Sequence, residues 1–431
     1  MPTSSLPPPT LKPAEKEQSW LGKLGPGLIT GAADDDPSGI ATYSQAGAQF
    51  GFGMLWTLLF TYPLMVGIQI ISARIGRVTG HGLSTNIRRH YPPALLYFIV
   101  GLLVIANTIN IAADVAAMGD AARLVLGGPA HLYAVGFGLV SLLLEVFIPY
   151  SRYVRVLKWL TLALLAYVAT VFVVHIPWTR FLHGSLALPD WSPAYITTMV
   201  AVFGTTISPY LFFWQASQEV EELRANPQAK ALKHAPRDAR AGFLRIKIDT
   251  YIGMGFSNLV AFFIMLTTAV TLNLHGVRDI QSSAQAATAL RPIAGDFAFA
   301  LFSMGIIGTG MLAIPVLAGS AAYAMAGAFQ WNSGLEEQPA RAPRFYGIIV
   351  VATLAGVALV FAPIDPIKAL YWSAVINGII SVPIMALMMR MAARVDIMGR
   401  LVIHRRLKVL GWLCTAVMAT AVVAMFATPS A

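Results

Sequence analysis

The chain reads as an all-α protein that crosses a membrane eleven times, with two of its helices broken in mid-span. Three observations predict this. Hydrophobic residues make up 57% of the 431 and charged residues only 12%, an apolar load that calls for lipid as solvent. Runs of about 18 or more mainly apolar residues recur along the whole sequence. Clusters of polar and helix-breaking residues interrupt the first and the sixth of these runs.

The runs lie near 24–49, 54–76, 94–126, 130–149, 155–176, 193–222, 247–274, 296–329, 345–363, 368–393 and 407–427. Several exceed what a bilayer needs, which implies tilt, a break, or extension past the hydrocarbon. Basic residues test count and direction together, because a missed span would scramble the alternation of basic loops. With the N-terminus in the cytoplasm, only Arg123, Arg180, Arg278, Arg291 and Lys368 of the 30 Lys and Arg fall on the far side. The expected placement is a multi-pass protein of the inner (plasma) membrane, N-terminus cytoplasmic and C-terminus outside. Residues 1–20 hold three consecutive prolines and mixed charge without an apolar stretch, and are expected to form a disordered cytoplasmic tail rather than a signal peptide.

Composition also excludes several functions. The net charge of +10 is spread over short loops between apolar runs and forms no nucleic-acid-binding face. The single cysteine, Cys414, sits in an apolar run and supports neither a disulfide framework nor a thiolate metal site. The methionines scatter as core filling without a Met-rich cluster. No nucleotide-binding loop is present, which argues against a primary ATP-driven pump.

The first run contains Gly25-Pro26-Gly27, then Asp34-Asp35-Asp36-Pro37-Ser38-Gly39 in its middle. Proline removes a backbone donor, glycine weakens the helix, and a carboxylate at mid-membrane costs several kcal/mol unless it faces protein, water or an ion. An exposed loop between two half-length segments is the alternative, but the apolar stretch on either side is too short to span alone. The sixth run carries Gly204-Thr205-Thr206-Ile207-Ser208-Pro209-Tyr210. Taken alone, that reads as a proline kink. Interrupted helices at matching places in two halves, however, are the sequence pointer to an inverted-repeat transporter with its site at the breaks. Its expected organisation is a first repeat at 21–176, a second at 193–393, and a further helix at 407–427. Unwound carbonyls plus a carboxylate make a cation site, whereas an anion or an amino-acid carboxylate would want glycine amides and no aspartates.

These residues resemble the Nramp family of divalent metal transporters, over essentially Leu21 to Ala393. Gly25-Pro26-Gly27 and Asp36-Pro37-Ser38-Gly39 are similar to that family's opening Gly-Pro-Gly and its Asp-Pro-Gly-Asn motif. Gly204 to Tyr210 is similar to its Gly-Ala-Thr-Val-Met-Pro-His, and Ala113-Asp114-Val115-Ala116 to its Thr-Asp-Leu-Ala. The resemblance implies a LeuT-type fold, a five-plus-five inverted repeat with broken helices 1 and 6. It also implies a metal site of Asp36, the Ala33 and Thr205 carbonyls, and the positions of Gly39 and Ser208, which stand where the family has asparagine and methionine. Loss of the thioether leaves oxygen ligands, which suit magnesium, calcium or manganese. Small residues leave room for a hydrated magnesium ion. The pattern resembles the Nramp-related magnesium branch, with magnesium the first expectation and manganese the second. Tyr210 occupies the family's histidine position, Asn107 and Ala117 occupy acidic positions, and the apolar part of the ninth span lacks arginine. Movement uncoupled from protons is therefore expected, with a proton-coupled manganese or iron transporter of the Nramp type as the alternative.

Other polar residues complete the expected surroundings. Asp34 and Asp35 are placed around the ion or its waters, with capping of the outer half-helix by one of them as the alternative. Asp114 is either a residual pathway group or a partner for a helix break. Gln215, Glu219 and Glu222 follow at spacings of four and three and would line one face, as an acidic inner vestibule or a solvated helix end. Asn377 either approaches the ion or bonds helix to helix. Glu145 and Asp249 are expected as interface anchors. Rival readings are an organic-solute transporter, which the aspartates disfavour, and a sensor that keeps the fold without transport. An intramembrane aspartyl protease is disfavoured because Asp36 and Asp114 lack the surrounding motifs. The expectation is thus no enzyme and no resident cofactor. The expected partners are a divalent cation and membrane lipid, and the sequence leaves the oligomeric state open, a monomer included.

Overall fold

The computed structural model describes residues 30, 31, 33–149, 152, 160–186, 191–226 and 228–428. The tail at 1–20, the opening Gly25-Pro26-Gly27 and the start of the fifth run lie outside the described residues. The principal helices are α1 (Pro37–Phe50), α2 (Leu55–Thr79), α3 (Leu83–His90), α4 (Pro93–Leu126), α5 (Ala130–Phe147), α6 (Leu165–Val173), α7 (Trp178–Leu186), α8 (Pro193–Thr206), α9 (Pro209–Ala225), α10 (Ala239–Thr271), α11 (Ala298–Phe329), α12 (Pro343–Leu359), α13 (Pro366–Ala392) and α14 (Arg405–Ala427). Among the described residues there is no strand.

Prolines set many of these boundaries. α1, α4, α8, α9, α12 and α13 all begin at one. The first helical position needs no backbone N–H, and the fixed φ of proline suits it. Side-chain caps from Asp36, Ser192 and Asp365 add acceptors for the free amides of α1, α8 and α13. Prolines 63, 315 and 383 lie inside α2, α11 and α13, which run through them.

Eight helical stretches among the described residues are long and apolar enough to cross a membrane, from Pro37–Thr79 through Arg405–Ala427. The first, at 43 residues, is interrupted at Gly51, whose φ of 56° is not helical, and so covers the later part of the expected first run and the second run. The expected fifth run appears as α6, followed by α7 at a bend of 117°. The ninth is the shorter apolar helix α12. Every expected run therefore has a helix.

Burial sorts these helices into centre and rim. In the most apolar stretch of Pro193–Ala225, 94% of residues are buried, against 22% for Ala130–Phe147 and 33% for Arg405–Ala427. The broken sixth span thus forms the middle of the protein, while α5 and α14 present their sides to lipid. α4 packs along α11, α12 and α13, α10 lies along α1, and α8 lies against α13. Gly204 touches the backbone of Ala374 and Gly378, and Gly31 touches that of Gly253. A side chain at either glycine would collide with main chain, so these contacts fix how closely the broken helices sit against α13 and α10.

Candidate functional site

Both expected breaks are present. Thr30, Gly31, Ala33 and Asp34 are helical, Asp35 bends, and Asp36 is extended at φ −74° and ψ 170° before α1 begins at Pro37. The sixth span stops at Thr206, passes through Ile207 at ψ 58° and extended Ser208, and resumes at Pro209.

Asp36 is 2% exposed, and four donors surround its carboxylate. Oδ1 accepts from the Gly39 amide at 2.8 Å and the Ser38 hydroxyl at 2.6 Å. Oδ2 accepts from Asn110 Nδ2 at 3.0 Å and, at 3.4 Å, from the Tyr210 hydroxyl. Asp36 is thus the cap of α1, the role set against Asp34 or Asp35 from sequence. The reason is local: Pro37 follows it directly, so the cap falls on the last residue before the proline. The Tyr210 hydroxyl also lies 3.1 Å from the Ala33 carbonyl oxygen. It therefore stands between two of the oxygens expected to hold the ion.

Gly39 faces the side-chain oxygen of Thr205 and the ring of Tyr43, which brings α1 onto the end of α8. The Ser208 hydroxyl turns back onto the end of α8, donating toward the Gly204 and Thr205 carbonyls at 2.9 Å each. Its oxygen lone pairs remain to accept or to ligate. Asp36, Ala33, Gly39, Thr205 and Ser208 all lie at or beside the two breaks. Among the described residues no three His, Cys, Asp or Glu side chains gather closely enough to hold an ion alone. A cation here needs carbonyl and hydroxyl oxygens beside the carboxylate.

Asp34 and Asp35 turn away from these donors toward α10. Ser257 Oγ lies 2.7 Å from Asp34 Oδ2 and 3.0 Å from Asp35 Oδ1, yet carries one proton to donate. Among the described residues the other Asp34 oxygen has no hydrogen-bond partner. Asp114, fully buried on α4, also lacks partners for both oxygens among the described residues, and stands one turn beyond Asn110 on the face that reaches Asp36. Asn377 on α13 is 1% exposed, with neither amide atom bonded among the described residues. Its neighbour Gly378 packs on Val200 and Gly204, so Asn377 belongs to the wall beside the second break and makes no helix-to-helix bond. Asn107 ties α4 to α11 through the Leu317 carbonyl and Ser320. Sequence reading missed Asn110 and Ser257. The four-residue spacing from Asp114 is a signal for the first; the second carries none.

The expected acidic vestibule is corrected. Gln215 accepts from Thr30 at 2.5 Å, bridging α9 to the half of the first helix that precedes the break. Glu219 is wholly buried, 2.5 Å from Arg245 and 3.9 Å from Arg77, and Glu222 pairs with the same two arginines at 2.8 and 3.5 Å. The two arginines come from α2 and α10 and neutralise the face that single-helix spacing left bare. Glu145 and Asp249 are 3% and 2% exposed and so are not interface anchors. Glu145 shares the stripe of Ala134, Gly138 and Ser141 that α5 turns onto α4 and α12, where Gly138 meets Val115 and Val357.

Two half-helices meeting end to end at a buried carboxylate, in a bundle of apolar spans, define a transporter architecture of the LeuT type. The Nramp family model, described as natural resistance-associated macrophage protein-like, matches residues 27–428. The chain belongs to the Nramp family. It is a transporter-family member and not an enzyme. Among curated relatives, the divalent metal cation transporter MntH of Yersinia enterocolitica is 28% identical over 306 residues, covering 69% of this chain and 71% of that protein. MntH of Klebsiella pneumoniae is 26% identical over 406 residues, covering 92% of each. Among solved structures, the Eremococcus coleocola manganese transporter, bound to an aromatic bis-isothiourea compound, superposes with a TM-score of 0.72 at 17% identity, covering 98% of this chain and 92% of that one. MhsT in complex with L-phenylalanine gives a TM-score of 0.60 at 12% identity over 93% of this chain and 98% of that one.

Proposed function

We propose that this protein carries a divalent metal cation, manganese in the first place, across the membrane through the site at the two breaks. The observation that carries the reading is the buried Asp36 carboxylate at the break, with the Ala33 carbonyl beside it and a single tyrosine hydroxyl between them. An oxygen-rich set of this kind suits manganese. The descriptions of the relatives, divalent metal cation transporters and a manganese transporter, favour the same ion over magnesium. Proton coupling of the Nramp type goes with this reading. The repeats at 21–176 and 193–393 would rock about the site, and the bias of basic residues supports an N-terminus in the cytoplasm.

Magnesium is the second reading, and one specific feature favours it. Ser208 and Gly39 replace the thioether and the amide of the family site, leaving smaller, harder surroundings. Magnesium would enter on the membrane potential alone, which gives an inward divalent charge about 4.6 kcal/mol per 100 mV. Uptake into proteoliposomes decides between the two. Manganese uptake that follows an imposed pH gradient at zero potential supports the first reading; magnesium uptake that follows potential and ignores pH supports the second.

Two substitutions probe the ligand set. Ser208→Met is expected to raise cadmium affinity by about tenfold or more, because a soft sulfur joins a hard site. Titration calorimetry with cadmium checks it, and an unchanged affinity would remove position 208 from the ion. Tyr210→Phe is expected to tighten cation binding about two- to tenfold, since one bond worth about 0.5–1.5 kcal/mol no longer has to be displaced. Weaker binding in that variant would make the hydroxyl a ligand.

A further inference from the structure

A second feature of the molecule lies far from the breaks, where α13 ends and α14 begins. Between residues 390 and 408 the sequence carries six Lys and Arg against one Asp. Arg390, Arg394 and Lys408 from this stretch, together with Tyr91 beyond the end of α3 and Trp412 on α14, line an open cavity of about 470 Å³. That volume falls in the range that holds small ligands. Arg394 is positioned by two partners. Its guanidinium lies 5.3 Å from the centre of the Tyr91 ring and is 2.6 Å from Asp396, whose carboxyl it holds below the usual range. Neither Arg390 nor Lys408 has an acidic ion-pair partner among the described residues, and the first turn of α14 adds the positive end of a 23-residue helix.

We propose that this cavity binds the headgroup of an anionic phospholipid. Two cationic side chains without an acidic partner, Arg390 and Lys408, with the Asp396-paired guanidinium of Arg394 beside them, match a phosphodiester, and basic pockets between helices at a membrane face are the usual seats of such headgroups. A lipid rather than a free anion fits because of what borders the charges. Val409, Trp412 and Leu413 follow Lys408 on α14 and are 60%, 39% and 46% exposed. α14 is a rim helix, so this apolar surface continues from the cavity mouth along the side that faces lipid. Acyl chains would lie on it, with Trp412 at the level where indole rings concentrate.

The test uses the full-length purified protein, stripped of lipid and titrated with phosphatidylglycerol, phosphatidylcholine or inorganic phosphate, with retained ligand read by native mass spectrometry and stability by melting temperature. Phosphatidylglycerol is expected to be retained and to raise the melting temperature, while the other two do neither. The variant Arg390→Gln/Arg394→Gln/Lys408→Gln is expected to bind phosphatidylglycerol about a hundredfold more weakly, at roughly a fivefold loss for each basic residue. The control Lys230→Gln/Arg237→Gln/Arg240→Gln removes the same charge from exposed positions in the neighbouring loop and the first turn of α10, a loop that touches this region through Lys233 and Asp396, and should bind as the parent does. If the triple variant fails to fold, Arg390→Gln and Lys408→Gln singly should each lose about fivefold. Parent-like binding by the cavity variants overturns the proposal. So does an equal loss in the control, which would mean diffuse charge, or equal retention of inorganic phosphate, which would mean a free-anion site.

Discussion

Uptake of the transported cation into proteoliposomes is expected to fall about a hundredfold or more when Asp36 is replaced by alanine, since unit charges about 4 Å apart are worth about 4 kcal/mol at an effective dielectric of 20. The same change removes the cap of α1 and strands the donors of Ser38, Gly39 and Asn110, which adds a stability loss of about 0.5–2 kcal/mol for the cap alone. Alanine therefore mixes two effects. Asp36→Asn separates them, because its amide oxygen still accepts from the Gly39 amide while the charge is gone. Asparagine should melt close to the parent and still lose uptake and calorimetric binding. Binding retained in the asparagine variant would move the ion off Asp36 and leave this residue a structural cap.

Much of this arrangement was legible in the sequence, for identifiable reasons. The two breaks could be read because each combines proline with residues that an apolar helix rejects: three aspartates in the first, and glycine and serine beside the proline in the sixth. Proline alone is not the signal, since α2, α11 and α13 run through theirs. A neighbouring helix tolerates an internal proline; a charged or unwound middle needs a partner of its own. The helices themselves followed from run length, which the bilayer dictates almost without regard to packing.

What was not legible depends on which helices become neighbours. Spacing along α9 predicts that Gln215, Glu219 and Glu222 share a face, and they do, but it says nothing of Arg77 and Arg245 arriving from α2 and α10. The aspartates divide in the same way. One sequence cluster becomes two places in space, Asp36 turning to Asn110 and Tyr210, Asp34 and Asp35 turning to Ser257. Adjacent residues at a helix break point in different directions, so proximity in sequence overstates their proximity in function.

The buried ion pairs at the C-terminal end of α9 give the second large expectation. Glu219→Ala should destabilise the protein by about 3–5 kcal/mol, the usual cost of removing one member of a buried pair and leaving the other charged. Arg245 and Arg77 would then share only Glu222, whose side chain is 39% exposed and better screened. Unfolding in mixed micelles measures the loss, and Glu219→Ala/Arg245→Ala should recover a good part of it, because the stranded charge goes as well. A double variant no better than the single one would put the energy in packing rather than charge. The same cluster joins α9 to α2 and α10, on the side of the break where Thr30 donates to Gln215 and Gly31 meets Gly253. Loosening the cluster should therefore open that route to water. In a Cys414→Ser background, Thr30→Cys should react slowly with a water-soluble thiol reagent, and at least about tenfold faster once Glu219→Ala is added, since opening weakened by about 1.4 kcal/mol is already tenfold more frequent. Equal rates would mean that the ion pairs hold the helices without guarding the path between them.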